Sequence, residues 1–294
     1  MFAAAPGAVP STPSATAPGT TSGSVADTVG PKRLWEVDAW RGLAIVLMVA
    51  YHFFFDLYFL GLVPVDVLSG PWLVLARTSS TLFQLLVGVS LVLSWRKQSA
   101  PRAGQGSGWG VARRLGQNPA PNRLFSNFVK RSWRRALVIL GWAAVITVAT
   151  WLVAPAGTVW FGILHLIGVS IVLTAPLVRW PKVTLALAAT VWWLGQLAAE
   201  VAIDSPWLLW FGPRPVEFQS FDYWPLLPWL AVILLGVTLG HAAFPAGNRR
   251  WALPDWSKLP VPRLFIFLGR HSLAIYLIHQ PIILLGLWAA LLLA

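Results

Sequence analysis

Seven long apolar stretches alternate with shorter polar connections along the chain. They lie at about residues 39–61, 72–95, 136–154, 160–178, 183–201, 224–244 and 271–292. Each has about the 20 residues that a helix needs to cross a hydrocarbon core of ~30 Å. Because a backbone inside lipid must satisfy its own hydrogen bonds, we expect helices rather than isolated strands. The pattern predicts an all-α, polytopic membrane bundle of about seven transmembrane helices.

The composition agrees with a multi-pass membrane protein. Hydrophobic residues make up 57% of the 294 residues and charged residues 11%, against roughly 25% charged residues in soluble domains. These values exclude an ordinary cytosolic enzyme and a nucleic-acid-binding domain. The 19 tryptophans lie mostly near the ends of the apolar stretches, as in interfacial aromatic belts. We expect the chain in the plasma (inner) membrane.

Three segments outside the apolar stretches have a distinct composition. Residues 1–31 contain almost no large apolar side chain and predict a disordered tail. The rest, 34–293, is expected to be one transmembrane domain. Its connection 96–130 is rich in Gly, Pro, Gln and Arg and predicts a basic, mobile cytoplasmic loop. Residues 263–270 predict a short interfacial helix before the last stretch.

The distribution of basic residues predicts the orientation. The net charge is +12, and Lys and Arg concentrate before the first stretch and in the connections 96–135, 179–182 and 249–258. These are every second connection, so the positive-inside rule places the N-terminus inside and the C-terminus outside. Arg77 is the exception near the outer end of the second stretch. A side chain that reaches the lipid headgroups explains it.

An ionisable pair lies inside the first stretch. His52 comes eleven residues after Arg41, about 16 Å along a helix axis, which is near the middle of the membrane. Asp56 follows one turn later on the same face. A carboxylate beside an imidazole is the arrangement that supports a general base in acyl transfer. The alternative is a structural pair that holds the first helix to a neighbour.

Further histidines lie at membrane depth. His165 is near the outer end of the fourth stretch and His279 is in the middle of the seventh. For each of these histidines alone, packing is as good an explanation as function. Together with His52, however, His165 and His279 favour a shared site. Gln84 could join this site through a hydrogen bond. His241 lies at the cytoplasmic end of the sixth stretch, where the helix dipole explains it.

A basic cluster opens the third apolar stretch at the expected inner face. Its members are Lys130, Arg131, Arg134 and Arg135. Such a cluster anchors the topology, and the arginines also suit the phosphates of an anionic cytoplasmic donor. Asp38 and Arg41 lie three residues apart at the same face. A ligand role and a helix-end role explain them equally well.

Four motifs occur in an order that resembles a known family. They are Asp-Ala-Trp-Arg-Gly-Leu-Ala-Ile-Val-Leu-Met-Val-Ala-Tyr-His-Phe-Phe-Phe-Asp at 38–56, Leu-Leu-Val-Gly-Val-Ser at 85–90, Phe-Gly-Ile-Leu-His-Leu-Ile-Gly at 161–168 and Gly-Arg-His-Ser-Leu-Ala-Ile-Tyr-Leu-Ile-His-Gln-Pro at 269–281. Over about residues 34–290, the chain resembles the bacterial branch of the heparan-α-glucosaminide N-acetyltransferase catalytic family, within the transmembrane acyltransferases.

The resemblance implies a reaction and site residues. Members transfer an acyl group, usually acetyl from acetyl-CoA, to a sugar hydroxyl or amine across the membrane. By position, His52 matches the histidine that activates the acceptor or accepts the acyl group, and Arg41 matches the Arg of Arg-Gly. We therefore expect CoA at Arg41 and at Arg131, Arg134 and Arg135. His52, oriented by Asp56, would act on an extracytoplasmic glycan-like acceptor that arrives past His165, with His279 in the same site.

Two other classes of function fit the same residues. One is a transporter that uses buried His and Asp as a proton relay. The other is a b-type haem protein, because pairs of helical histidines can ligate haem. We expect no nucleic-acid partner and no metal site, and the sequence leaves open whether the chain forms a homo-oligomer.

Overall fold

A computed structural model describes residues 34–64, 66–99, 121–203 and 205–293. The predicted tail at 1–31 and the central part of the predicted loop 96–130 lie outside these residues. The described residues form eight α-helices and contain no strand. The predicted all-α membrane bundle is therefore confirmed. In chain order the helices are α1 (Trp35–Phe59), α2 (Gly70–Ser99), α3 (Pro121–Val153), α4 (Ile163–Thr174), α5 (Pro181–Ala199), α6 (Leu226–Ala243), α7 (Pro260–Arg270) and α8 (Ser272–Leu293).

Two helices are longer than the apolar pattern predicts. Helix α2 continues to Ser99 and α3 begins at Pro121, so helix occupies both ends of the predicted loop. Lys, Arg and Gln have good helix propensity, and a charged turn can extend a membrane helix beyond the lipid. The predicted interfacial helix is confirmed as a helix, since α7 covers Pro260–Arg270.

Six of the described helices are long and apolar enough to cross a membrane, and α4 and α7 are not among them. The predicted fourth stretch at 160–178 forms a shorter apolar helix, Ile163–Leu177. A helix of that length rises about 22 Å, which is less than the ~30 Å core. Residues 158–162 are not helical, and the cause lies in the site described below.

Polar contacts sort the helix termini into two groups. At one end, called the Arg41 end, Arg41 donates to Ser90 Oγ (2.7 Å) and Arg96 contacts His241 Nδ1 (2.9 Å). Helix α8 also begins there, because Arg270 forms an ion pair with Asp38 at 3.4 Å. The start of α4 lies at the other end. Since α1 and α8 both begin at the Arg41 end, they run in the same direction. The placement of the N-terminus inside and the C-terminus outside the membrane stays a prediction.

The contacts of His241 differ from the expected dipole interaction. Its Nε2 lies 2.7 Å from the Val178 carbonyl oxygen and its Nδ1 accepts from Arg96. His241 therefore links the C-terminal ends of α2, α4 and α6 by directed hydrogen bonds.

Glycine allows α1 and α7 to pack backbone against backbone. A Cβ atom on Gly269 would collide with the Asp38 carbonyl oxygen, and one on Gly42 would collide with the Phe265 carbonyl oxygen. Small residues at such crossings are typical of membrane helix pairs. The close crossing brings Arg270 beside Asp38 and so helps to build the Arg41 end.

Candidate active site

A cavity of about 1060 Å³ runs between the helices. Its walls come from α1, α2, α3, α4, α6, α7 and α8 and from residues 221–224 between α5 and α6. The lining includes Arg41, Ser94 and Lys97 toward the Arg41 end, and Tyr51, His52 and Asp222 farther along. Ligand pockets are commonly about 300–1,000 Å³, so this cavity is large enough for a sizeable substrate.

Among the residues that the structure describes, five cations line the cavity at or near the Arg41 end. They are Arg41, Arg96, Lys97, Arg135 and Arg270. Two of them share the buried Asp38 carboxylate, which lies 3.1 Å from Arg41 Nη1 and 3.4 Å from Arg270 Nε. Asp38 is 3% exposed, so its buried carboxylate holds both guanidinium groups in place through ion pairs. The arrangement suits an anionic group of a ligand.

The expected basic cluster on α3 is divided by the structure. Arg135 lies on the cavity wall together with Ser132. Lys130, Arg131 and Arg134 are exposed and are not among the described lining residues. Arg134 precedes Arg135 by one residue and is rotated by about 100° around the helix. Arg131 precedes the lining residue Ser132 by one residue and is rotated from it in the same way. The expectation that Arg131, Arg134 and Arg135 bind the donor together is therefore not supported by their placement.

His52 and His279 meet beside the cavity. The His52 ring is on the cavity wall, with its Nδ1 at 2.9 Å from the Met48 carbonyl oxygen. His279 Nδ1 lies 2.7 Å from the Tyr276 carbonyl oxygen. The two rings are edge to face, with centroids 4.9 Å apart. Because a carbonyl oxygen can only accept, each Nδ1 carries the proton and each Nε2 keeps a lone pair.

The expected His52–Asp56 pair does not form. Asp56 instead accepts a hydrogen bond from Gln280 Nε2 at 2.7 Å. Side chains on a helix point back toward its N-terminus, so the His52 ring turns to the carbonyl of the preceding turn and away from Asp56. The Asp56–Gln280 bond joins α1 to α8. It thereby holds His279, the neighbour of Gln280, against His52.

His165 and Gln84 occupy positions away from the main cavity wall. His165 Nδ1 accepts from the Gly162 N–H (3.2 Å), and its Nε2 lies 3.4 Å from Thr147 Oγ1. His165 thus caps the start of α4. Gln84 is fully buried, and its amide makes no hydrogen bond within the described part of the chain. The structure therefore does not join Gln84 to the histidines.

Asp222 is a cavity residue that the sequence analysis did not single out. It lies on the cavity wall, and its Oδ2 accepts from the Ile163 N–H (2.9 Å) and from the Tyr276 hydroxyl (3.4 Å). Burial raises the pKa of Asp222 to about 6, although its hydrogen bonds with the Ile163 N–H, the Trp224 side chain and the Tyr276 hydroxyl act in the opposite direction. The available signal was its position in the aromatic run Phe-Asp-Tyr-Trp at 221–224.

Arg77 also belongs to this part of the cavity. We expected its side chain to reach the headgroups, and it is exposed, but it also lies among the lining residues, one turn from Ser80. Arg77 and Asp222 therefore both line the cavity, although neither is among the predicted site residues.

The comparisons with known proteins give one match. The family model described as "Heparan-alpha-glucosaminide N-acetyltransferase, catalytic" matches residues 33–281. This range includes every cavity-lining residue named above. No curated protein and no solved structure matches the chain.

Proposed function

The chain belongs to the heparan-alpha-glucosaminide N-acetyltransferase catalytic family, and we propose that it transfers an acetyl group from acetyl-CoA to a hydroxyl or amine of a glycan-like acceptor. The family and the six candidate spans make it a membrane protein of a transferase family. The donor, the acceptor, its extracytoplasmic location and the plasma membrane are parts of the proposal.

The observation that carries the proposal is the cavity that joins a cationic end to His52. In acetyl-CoA, phosphates lie at one end and the thioester at the other. Arg41, Arg96, Lys97, Arg135 and Arg270 would bind the phosphates. The thioester would then lie toward His52. Arg41 is suited to this role because Asp38 and Ser90 already hold its guanidinium in place.

His52 would act through Nε2, whose lone pair is available because Nδ1 is bonded to the Met48 carbonyl. As a general base, it takes the proton of the acceptor, the acceptor atom attacks the thioester carbonyl, the C–S bond breaks, and the proton passes to the CoA thiolate. As an acyl carrier, Nε2 attacks the thioester itself and releases CoA, and the acceptor then takes the acetyl group. His279 would stabilise the positive charge on the His52 ring in both routes.

The same geometry bears on the two other classes of function. A haem would need a flat macrocycle between its two histidine ligands, and the His52 and His279 rings are in edge-to-face contact, so this pair is unsuited to haem. A transporter with a His and Asp relay shares the cavity but consumes no acetyl-CoA.

The test is CoA release by the purified full-length chain with acetyl-CoA and an acceptor such as glucosamine, with mass spectrometry of the product. We expect His52→Ala to lower turnover by about 10²–10⁴-fold. His271→Ala is the matched control, since His271 Nδ1 makes the same 2.9 Å contact, with the Phe267 carbonyl oxygen, but the ring is exposed. Wild-type turnover per folded molecule in His52→Ala would overturn the assignment. Proton movement without CoA release would favour the transporter.

A further inference from the structure

Two non-helical segments pair inside the helix bundle. Phe221 N–H donates to the Gly157 carbonyl (3.0 Å), and Trp224 N–H donates to the Phe161 carbonyl (2.9 Å). Ser220 Oγ adds a bond to the Thr158 carbonyl oxygen at 2.9 Å. Backbone that is not helical is tolerated in a membrane protein where it is buried in protein or lines a cavity. This pairing replaces the first turns of the predicted fourth span and places Asp222 at the start of α4.

Glycines leave the space that this pairing needs. A Cβ atom on Gly162 would collide with the Asp222 carboxylate, and one on Gly157 would collide with the Phe221 ring. The local sequence is thus adapted to bring residues 221 and 222 against the α4 terminus.

The surroundings of Asp222 have the composition of a polyol-binding site. Phe221, Tyr223, Trp224 and Trp229 line the same part of the cavity. Apolar and aromatic walls with a few placed polar groups are typical of small-molecule sites. A carboxylate has about four acceptor positions. The Ile163 N–H and the Tyr276 hydroxyl occupy two of them, both on Oδ2, and the Trp224 side chain also hydrogen-bonds to the carboxylate. An acceptor position therefore remains for a ligand.

Asp222 is also connected to the reacting histidine by short steps. Tyr276, which bonds Asp222, lies one turn before His279 on α8, with ring centroids 5.6 Å apart. His279 in turn contacts His52. A ligand held at Asp222 would therefore lie along the same wall as the His52 ring, on the side away from Arg41.

We propose that Asp222 and the surrounding aromatic side chains, Phe221, Tyr223, Trp224 and Trp229, form the acceptor subsite, which binds a sugar-like polyol through hydrogen bonds from its O–H or N–H groups to the Asp222 carboxylate. This inference rests on the proposed function, because it assigns the acceptor of that reaction to one part of the cavity. Asp222 is a binding residue in this scheme, and His52 remains the reacting group.

The kinetic test compares Asp222→Asn with Asp66→Asn, the same substitution at an exposed loop position. Asn keeps the shape of Asp and can still accept from the Ile163 N–H, so a role limited to capping α4 would survive. With saturating acetyl-CoA, we expect the KM for glucosamine to rise about 10–100-fold in Asp222→Asn, as for loss of a hydrogen bond to a charged group. The KM for acetyl-CoA should change less than twofold in both variants.

A binding test separates this proposal from the acyl-transfer proposal. Glucosamine and glucose are titrated into the detergent-purified chain without any acyl donor, and the fluorescence of tryptophans is followed, since Trp224 and Trp229 line the subsite. We expect weaker binding of both sugars in Asp222→Asn. If wild type consumes no acetyl-CoA but still shows this difference, the reaction is wrong and the subsite stands.

Two results would overturn the subsite. One is an unchanged KM for glucosamine in a folded, active Asp222→Asn variant. The other is sugar binding that does not respond to the substitution. If Asp222→Asn does not fold, the subsite is tested with Tyr276→Phe instead. This variant removes the hydroxyl that donates to Asp222 and keeps the ring. An expected rise of about 3–10-fold in the KM for glucosamine supports the subsite, and an unchanged value contradicts it.

Discussion

Replacing Arg135 with glutamine removes one cation from the cavity wall at the Arg41 end and leaves the rest of α3 in place. Glutamine has a helix propensity close to that of arginine, and Arg135 is exposed, so the fold should not change. Arg134→Gln is the matched control. It makes the same change in charge one residue earlier, on a side chain outside the described cavity lining.

The magnitude follows from the exposure of Arg135. A hydrogen bond to a charged group contributes about 1.5–3 kcal/mol when it is well formed. An exposed ion pair contributes only about 0.2–1 kcal/mol, because water and salt screen it. A guanidinium that is exposed at the cavity mouth but can form two bonds to a phosphate should fall between these ranges. About 1.4 kcal/mol corresponds to a tenfold change, so we expect a rise of about tenfold in the KM for acetyl-CoA.

The assay is CoA release at varied acetyl-CoA and fixed glucosamine, at low and at high salt. The KM for acetyl-CoA should rise in Arg135→Gln and stay unchanged in Arg134→Gln, with kcat similar in both. The difference should shrink at high salt, because salt screens exposed charges. Equal rises in the KM for acetyl-CoA would refute the division of the cluster. An unchanged KM in both variants would assign the whole cluster to a role in topology.

Two more predictions concern the fold and the pH dependence. Gly269→Ala should lower the melting temperature, because its Cβ atom would collide with the α1 backbone and overpacking costs about 1–3 kcal/mol. Gly141→Ala, which has open space around it, should leave the melting temperature unchanged. Equal melting temperatures of the two variants would contradict the close crossing. Because the pKa of Asp222 is raised to about 6, the folded state favours the protonated acid, so wild-type stability should fall relative to Asp222→Asn as pH rises from about 4 to about 6. The KM for glucosamine should rise as pH falls through about 6, and a flat profile would contradict a role for the charged form.

The sequence predicts the membrane helices well because length and apolarity are properties of each segment alone. The six candidate spans all lie within or around predicted apolar stretches. The helix within 160–178 is shorter than the apolar stretch for a physical reason: Gly157 and Gly162 accommodate a partner segment that is about 60 residues away in sequence. Apolar content alone contains no information about that partner.

The site was less predictable because it depends on side-chain direction and on contacts between distant helices. Spacing places His52 and Asp56 on one face, but it does not decide that the His52 ring bonds Met48 while Asp56 bonds Gln280. The contact of His52 with His279 requires α8 to pack on α1. Spacing within α3 likewise does not show that Arg135 lies on the cavity wall and Arg131 does not.

The placement of Arg41 and His52 on one straight helix constrains the donor. Eleven residues separate them, which fixes about 16 Å between the cationic end and the imidazole. A ligand that engages both must carry its anionic groups and its thioester at about that separation. Acetyl-CoA has such a spacer between its phosphates and its sulfur, whereas a short acetyl thioester could reach His52 without contacting Arg41. In the proposed reaction, helix α1 would therefore favour a donor of that length, and the space past His52, beside Asp222, would be left for the acceptor.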